Sequence, residues 1–255
     1  MTLLFACAGS RSGSGKIEYV GLDEEIALGQ EISRACNEQF ALVSDPLVTD
    51  YLNAMASELG EQSEWAFDNY HVYIIDSTGF NHFSLPGGHI YLYRGLFDST
   101  TTLEQTAMVL AHEIAHLADR DALDRIAREY TFAFAAQSVF GYNPEITRRI
   151  IAGLYGPESI LNYSHKKELQ ADKKAVEYAF LAGINPQGLL DYLDKIALAE
   201  IDSPEKVAML EMTHPDASKR IKTVRSAISK NNKIREMPAN RRDPNYYNIL
   251  KLLIK

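Results

Sequence analysis

Residues 103–118 run Leu-Glu-Gln-Thr-Ala-Met-Val-Leu-Ala-His-Glu-Ile-Ala-His-Leu-Ala, without glycine or proline and apolar nearly all round. Alanine and leucine favour a helix, and a helix with no broad polar face has to be buried in its domain. Thr101 and Glu104 fit a capping box that would start it, with Thr101 as the N-cap. Within the run, His112 and His116 stand on one face about a turn apart. Two buried imidazoles need partners for their nitrogens, from a hydrogen-bonded core or from a shared metal ion. The spacing lets both rings close on one Zn²⁺ without bending the backbone, and Glu113 then points beside the ion, where an activated water would sit. The chain has 7 histidines. At that content a chance His-Glu-x-x-His string arises on the order of one time in a hundred, so chance is a weak rival.

Catalytic zinc takes three protein ligands and leaves one position open, so a third ligand has to come from a second rigid element. The segment from Asn162 to Ala182 reads as a helix that stops at Gly183, as C′, and Pro186. On it Glu168 and Asp172 are spaced i, i+4, so both carboxylates face the same way. One could bind the metal while the other accepts the outer N–H of a ligating histidine and fixes its tautomer. His165, three residues before Glu168, competes for the ligand role on nearly the same face.

Glu168-Leu169-Gln170-Ala171-Asp172 resembles the E-x-x-A-D helix of gluzincin metallopeptidases, in particular metallopeptidase family forty-eight, which includes the HtpX-type and CAAX prenyl proteases. Asn81-His82-Phe83-Ser84-Leu85-Pro86-Gly87-Gly88-His89-Ile90 is similar to that family's N-x-F-x-x-P-G-G-x-I segment. Thr213-His214-Pro215, with Arg220-Ile221 after it, resembles its T-H-P…R-I segment. The likeness spans roughly residues 20 to 225 in the family's order, which is far more specific than one five-residue string. It implies His112, His116 and Glu168 as ligands of one Zn²⁺ per chain, Glu113 as general base, and Asp172 as partner of a ligating histidine. It also implies His214 and Arg220 near the open side of the metal, where they would stabilise an oxyanion, or His214 would fill the fourth position at rest. Asn81, Ser84, Pro86, Gly87 and Gly88 would lie along the substrate. Two positions depart from the pattern: His165 stands where relatives commonly have arginine, and Asp121 where many have histidine.

The expected fold is α+β, a predominantly helical gluzincin-type domain with a small three- to four-stranded sheet beside the metal-binding helix. The expected chemistry is peptide-bond hydrolysis. Zinc brings the pKa of its water down to about 7, and Glu113 takes the proton during attack and passes it to the leaving amine. His71–Asp76 and Gly88–Tyr93 alternate and are rich in β-branched and aromatic residues, and with Phe80–Leu85 they suggest the sheet. An exposed edge strand there would pair with an extended substrate, although an ordinary structural meander has the same pattern.

With 255 residues, 46% of them hydrophobic, the chain can bury a sizeable core. Its formal net charge of −8 argues against nucleic acid as a partner. No stretch reaches the eighteen or so consecutive apolar residues of a membrane span, unlike the HtpX and prenyl-protease types, so the closer likeness is to periplasmic members without such spans. Leu3-Leu4-Phe5-Ala6-Cys7 resembles the end of a bacterial lipoprotein signal with Cys7 as the lipid-modified residue; a plain unstructured leader fits as well. The basic n-region is missing, which reads as a truncated start. Residues 1–16 are thus a leader or tether, and 17–255 a single zinc metallopeptidase domain. The partners expected are unfolded or misassembled proteins or peptides in the periplasm, with a lipid anchor at Cys7 as the tether. Two other readings fit the same motifs. One is a protease kept latent by His214 on the fourth zinc position. The other is a metal-stabilised, chaperone-like binding module with little turnover.

Elsewhere the sequence predicts a helix capped by Asp23 and running to about Leu42, with Ile26, Ile32 and Ala35 inward. A second follows from Asp45 as N-cap and Pro46 as N1 through about Leu59. Others are expected at 187–200 and 216–230. Cys36 should be a buried structural thiol. The Phe-rich stretch 124–154 reads as a lid or cleft wall, and the apolar end at Ile249–Ile254 as a segment docked on the domain.

Overall fold

A computed structural model describes residues 21–65, 67, 69–129, 153, 161–238 and 243–254. Helices α1 (Leu22–Gln39) and α2 (Pro46–Gly60) lead into β1 (His71–Ile75), β2 (His82–Leu85) and β3 (His89–Tyr93). After them come α3 (Leu96–Ser99), α4 (Leu103–Ala118), α5 (Asp121–Glu129) and α6 (His165–Leu181). The chain continues through α7 (Gln187–Asp202), α8 (Pro204–Thr213), α9 (Ala217–Ser229), α10 (Asn232–Arg235) and α11 (Pro244–Leu253). This is the α+β, predominantly helical arrangement expected, with a three-stranded sheet packed beside α4. The leader with Cys7 and most of the Phe-rich stretch lie outside the described residues.

Helix ends follow local capping chemistry, in places one or two residues from the expected position. At α4 the N-cap is Thr102, whose side chain accepts from Gln105 N, and Gln105 Oε1 accepts from the backbone N–H of Thr101 at 2.7 Å and of Thr102 at 3.3 Å. The capping box is therefore built on Gln105, leaving Glu104 buried. At α1 the N-cap is Gly21, whose N–H donates to Glu24 at 2.7 Å, and Asp23 lies inside the first turn. Asp45 and Pro46 start α2 as expected, with Asp45 Oδ1 accepting from Leu47 N at 3.0 Å. Gly183, at φ 73°, ends α6 in a Schellman motif: Ile184 N donates to Ala179 O at 2.8 Å and Gly183 N to Phe180 O at 3.1 Å.

The sheet has strand order β1-β3-β2, with β1 parallel and β2 antiparallel to β3. Its two faces are covered by different helices, which is why β2 and β3 are buried along their whole length. Ile90 and Leu92 of β3 join the main core with α2, α4, α6 and α7. Tyr91 and Tyr93 alternate to the other face and pack with Leu28, Ile32 and Cys36 of α1 and with Leu123 and Ile126 of α5. The Tyr91 hydroxyl ties that face to α1 through Ser33 Oγ and Asn37 Oδ1, each at 2.8 Å. The expected exposed strand edge is not found among the described residues. The outer edge of β1 is closed by Val43 N to Ile74 O and Asp76 N to Ala41 O, both 2.8 Å, and every residue of β2 is buried. Cys36 is fully buried with no disulfide partner, and burial pushes its thiol up to about 12.

At the centre of the molecule, α4 is packed against α2, α6, α7 and β2. Gly188 of α7 allows its closest approach: a Cβ there would lie 2.6 Å from the backbone carbon of Glu104. The end of the chain docks as expected, with Tyr246, Ile249, Leu250 and Leu253 of α11 buried and the Tyr246 hydroxyl 2.7 Å from Thr106 Oγ1 of α4. At the far side of the sheet, Gly29 of α1 lies on the turn after β2, where a Cβ would stand 1.9 Å from Pro86 O. Gly29→Ala must therefore shift α1 and is expected to cost about 2–3 kcal/mol in thermal or urea denaturation. Gly183→Ala, with open space around it but a left-handed backbone, should cost only about 1 kcal/mol. Equal effects of the two would show that α1 is not seated as described.

Candidate metal centre

The i, i+4 spacing on α4 brings His112 Nε2 and His116 Nε2 to 3.1 Å from each other, both fully buried. Helix α6 crosses α4 and supplies Glu168, with Oε2 at 3.5 Å from His112 Nε2 and Oε1 at 3.3 Å from His116 Nε2. Neither Glu168 oxygen has a hydrogen bond. The far side of each imidazole is held by a carboxylate. His112 Nδ1 is 3.0 Å from Asp172 Oδ1, and His116 Nδ1 is 2.8 Å from Asp121 Oδ2. An ionised carboxylate only accepts, so both Nδ1 atoms donate, which leaves each Nε2 to face a cation, a proton or a metal ion. Arg220 Nη2, 3.3 Å from His112 Nδ1, is farther than Asp172 and does not change that assignment.

Two bare nitrogens and a carboxylate facing one another repel unless positive charge lies among them. A tetrahedral ion with metal–ligand distances of about 2.0–2.1 Å sets its ligand atoms about 3.3 Å apart, which is the spacing found. The residues therefore fit a metal. Burial would raise the Glu168 carboxyl, yet His214, His112 and His116 outweigh it and hold it well below the usual range. Burial would likewise lower His116, but Asp121 and Glu168 carry it up to about 10, a measure of how strongly the cluster attracts a cation.

Glu113 is fully buried between two further histidines. Its Oε1 contacts His82 Nδ1 at 2.5 Å and lies 3.2 Å from His214 Nε2, the latter without hydrogen-bond alignment. Its Oε2 has no partner. Burial alone would raise this carboxyl, but His214 and His82 hold it well below the usual carboxylate range. His214 is the residue just past α8; its Nδ1 is 2.8 Å from Thr213 Oγ1, which in turn donates to Asn81 Oδ1 at 3.2 Å. His214 Nε2 is near enough to both groups to complete either of two sets, His112-His116-Glu168-His214 or His82-Glu113-His214.

Other expected site residues lie behind this cluster. Arg220 makes a paired contact with Asp172, Nε to Oδ2 at 3.0 Å and Nη2 to Oδ1 at 2.8 Å, while Nη1 lies 3.6 Å from Glu168 Oε2. Its donors are thus directed at the carboxylates behind the candidate ligands. Asp172, neutralised by Arg220 and His112 against the effect of burial, is held at about 2. Ser84 Oγ reaches the Glu113 backbone oxygen at 3.4 Å, and Asn81 is fully buried. Pro86 and Gly87 pack on α1, and Gly88 on Phe67 and Asn69. His165 is outside the cluster: it is 57% exposed and faces Asp216 at 3.9 Å.

The sequence did not single out His82, Thr213 or the role of Asp121. Asp121 follows Arg120, which turns the chain at φ 56° after α4 and donates from Nε to Glu25 of α1 at 2.8 Å. That turn, invisible to helical periodicity, returns Asp121 to His116.

The fold and the site together define a metallopeptidase: a central helix and a crossing helix converging two histidines and a glutamate, with a second glutamate beside them. The chain belongs to peptidase family M48, whose model matches residues 46–228. It is 26% identical over 216 residues to the beta-barrel assembly-enhancing protease of Yersinia pestis, covering 81% of this chain and 44% of that protein. It is 24% identical over 223 residues to the protein of that name in Escherichia coli (strain K12), covering 84% and 46%. Metalloprotease LoiP of the same strain is 27% identical over 209 residues, covering 77% and 78%. The chain thus spans less than half the length of the first two relatives. Among the described residues, no helix is long and apolar enough to cross a membrane.

Proposed function

We propose that this chain is a zinc-dependent endopeptidase that hydrolyses peptide bonds of unfolded or misassembled proteins, with one Zn²⁺ held by His112, His116 and Glu168. The observation that carries this reading is the 3.1–3.5 Å spacing of the facing nitrogens and oxygens, each imidazole oriented by its own carboxylate. When bound, the metal supplies a water of lowered pKa and polarises the scissile carbonyl. Glu113 accepts the water's proton on Oε2, its unpartnered oxygen, and returns it to the leaving amine. His214 donates to the developing oxyanion from Nε2 when the Thr213 hydroxyl turns its one proton from Asn81 Oδ1 to His214 Nδ1. Arg220 and Asp172 keep His112 and Glu168 in place. The role in beta-barrel assembly that names the first two relatives supports the bacterial periplasm as the compartment; Cys7, after Leu3-Leu4-Phe5-Ala6, would be its lipid anchor.

A second reading is favoured by the position of His214. If Thr213 accepts from Nδ1, the Nε2 atom is bare and available as a fourth ligand, so the same residue would hold the enzyme latent until substrate or partner displaces it. Metal-stripped protein should be inactive on casein and regain cleavage as zinc approaches one equivalent per chain. Cleavage that survives removal of the metal would overturn the proposal. Latency predicts in addition that His214→Ala raises turnover of small peptides, whereas an oxyanion donor predicts that it lowers it.

A further inference from the structure

His82 occupies the open second position of the N-x-F segment, so no motif calls for a histidine there. It sits on β2 with its ring wedged among the site residues, 4.3 Å from the His214 ring and 5.9 Å edge-on from the His112 ring. The side chain is buried, and Nδ1 contacts Glu113 Oε1 at 2.5 Å. Ligand atoms sharing a metal ion stand about 3.3 Å apart, so this contact is a hydrogen bond and not half of a second metal site. Since the carboxylate accepts, Nδ1 carries the proton, and Nε2 is left buried without a partner. A buried polar atom without a partner destabilises the fold, so the tautomer is kept for what Nδ1 does.

We propose that His82 is a positioning residue for Glu113, pinning Oε1 so that Oε2 is the one carboxylate oxygen presented to the reacting water; this rests on Glu113 being the general base. A carboxylate has two equivalent oxygens and a nearly free terminal torsion. Left alone, it would divide its time between orientations that aim a lone pair at water and orientations that do not. His214 cannot do the pinning, because its contact with Oε1 is unaligned and its Nε2 is also within reach of the metal ligands. His82 can, because its backbone is fixed in the sheet opposite Leu92 and its ring has no other hydrogen bond. Pinning acts on the chemical step and leaves substrate contacts unchanged.

The test uses the zinc-loaded full chain and three variants. His82→Phe keeps the ring volume without a donor, His82→Ala removes both, and His82→Asn returns an N–H near the place of Nδ1. The expected result is a fall in kcat of about 10–100-fold for Phe and Ala at unchanged KM and unchanged zinc content, with Asn recovering most of the loss. Wild-type kcat in His82→Phe, or Asn no better than Phe, overturns the proposal. A second readout does not need activity: ¹⁵N-histidine NMR of the chain should show His82 protonated at Nδ1, with a hydrogen-bonded proton resonance that disappears in Glu113→Ala. If the wild type cleaves nothing, the endopeptidase reading fails by itself, and this resonance still decides whether His82 holds Glu113. Its absence, or its persistence in Glu113→Ala, overturns the positioning role.

Discussion

Glu113→Gln is expected to lower proteolysis by about 10³–10⁴-fold while zinc content and folding stay those of the wild type. Glutamine has the shape of glutamate, and its Oε1 can still accept from His82 Nδ1, so the packing of α4 against β2 survives. What is lost is the negative charge and the basic oxygen. In the wild type that charge is maintained by His214 and His82 against the opposing effect of burial. An amide cannot take a proton from water at any usable pH, and no other carboxylate of the described cluster is free to substitute. Glu168 is directed at the two ligand nitrogens, while Asp172 and Asp121 hold the outer faces of the rings. Casein cleavage by both proteins, with zinc measured in each, checks the prediction. Residual activity within tenfold of the wild type would mean that Glu113 does not take the proton.

Glu168→Ala should remove metal and activity together and abolish the stabilisation that zinc confers. In the wild type, zinc at about a thousand times its dissociation constant stabilises the folded state by about 4 kcal/mol, and chelation reverses it. Without Glu168 the two imidazoles keep their orientation, because Asp172 and Asp121 are untouched, but two neutral nitrogens hold an ion far less firmly than the full set. The Arg220 guanidinium would also lose one of the anions around it. The melting temperature of the variant should not respond to chelator or to added zinc. A Tm that still rises with zinc, as in the wild type, would show that the ion sits elsewhere.

Much of this candidate centre was legible because its proposed ligands come from two helices whose spacing rules are local. Helical periodicity alone puts the i, i+4 histidines of α4 on one face, and does the same for the i, i+4 carboxylates of α6. Which of Glu168, Asp172 and His165 faces the metal was not local, because it depends on how α6 crosses α4. His165, in the first turn of its helix, turns to solvent, while Glu168 and Asp172 point inward. Tertiary contacts also decided His82, which looks on the sequence like any strand residue. Helix α8 is not among the expected helices, although Ser203-Pro204 marks its start, because ten residues hold fewer than three turns of periodicity. The shifted caps of α1 and α4 have one cause: several neighbouring polar residues could each satisfy the same backbone donors.

The pair Glu25–Arg120 joins the first described helix to a residue adjacent in sequence to Asp121, and Asp121 orients a ligand of the proposed metal. If the cluster holds that ion, seating of α1 and retention of the ion are two sides of one equilibrium. Whatever factor a docked α1 adds to metal affinity, the bound metal must add to the docking of α1. A membrane tether or binding partner pulling on the upstream end of the chain would therefore loosen the cation's grip without touching the cleft.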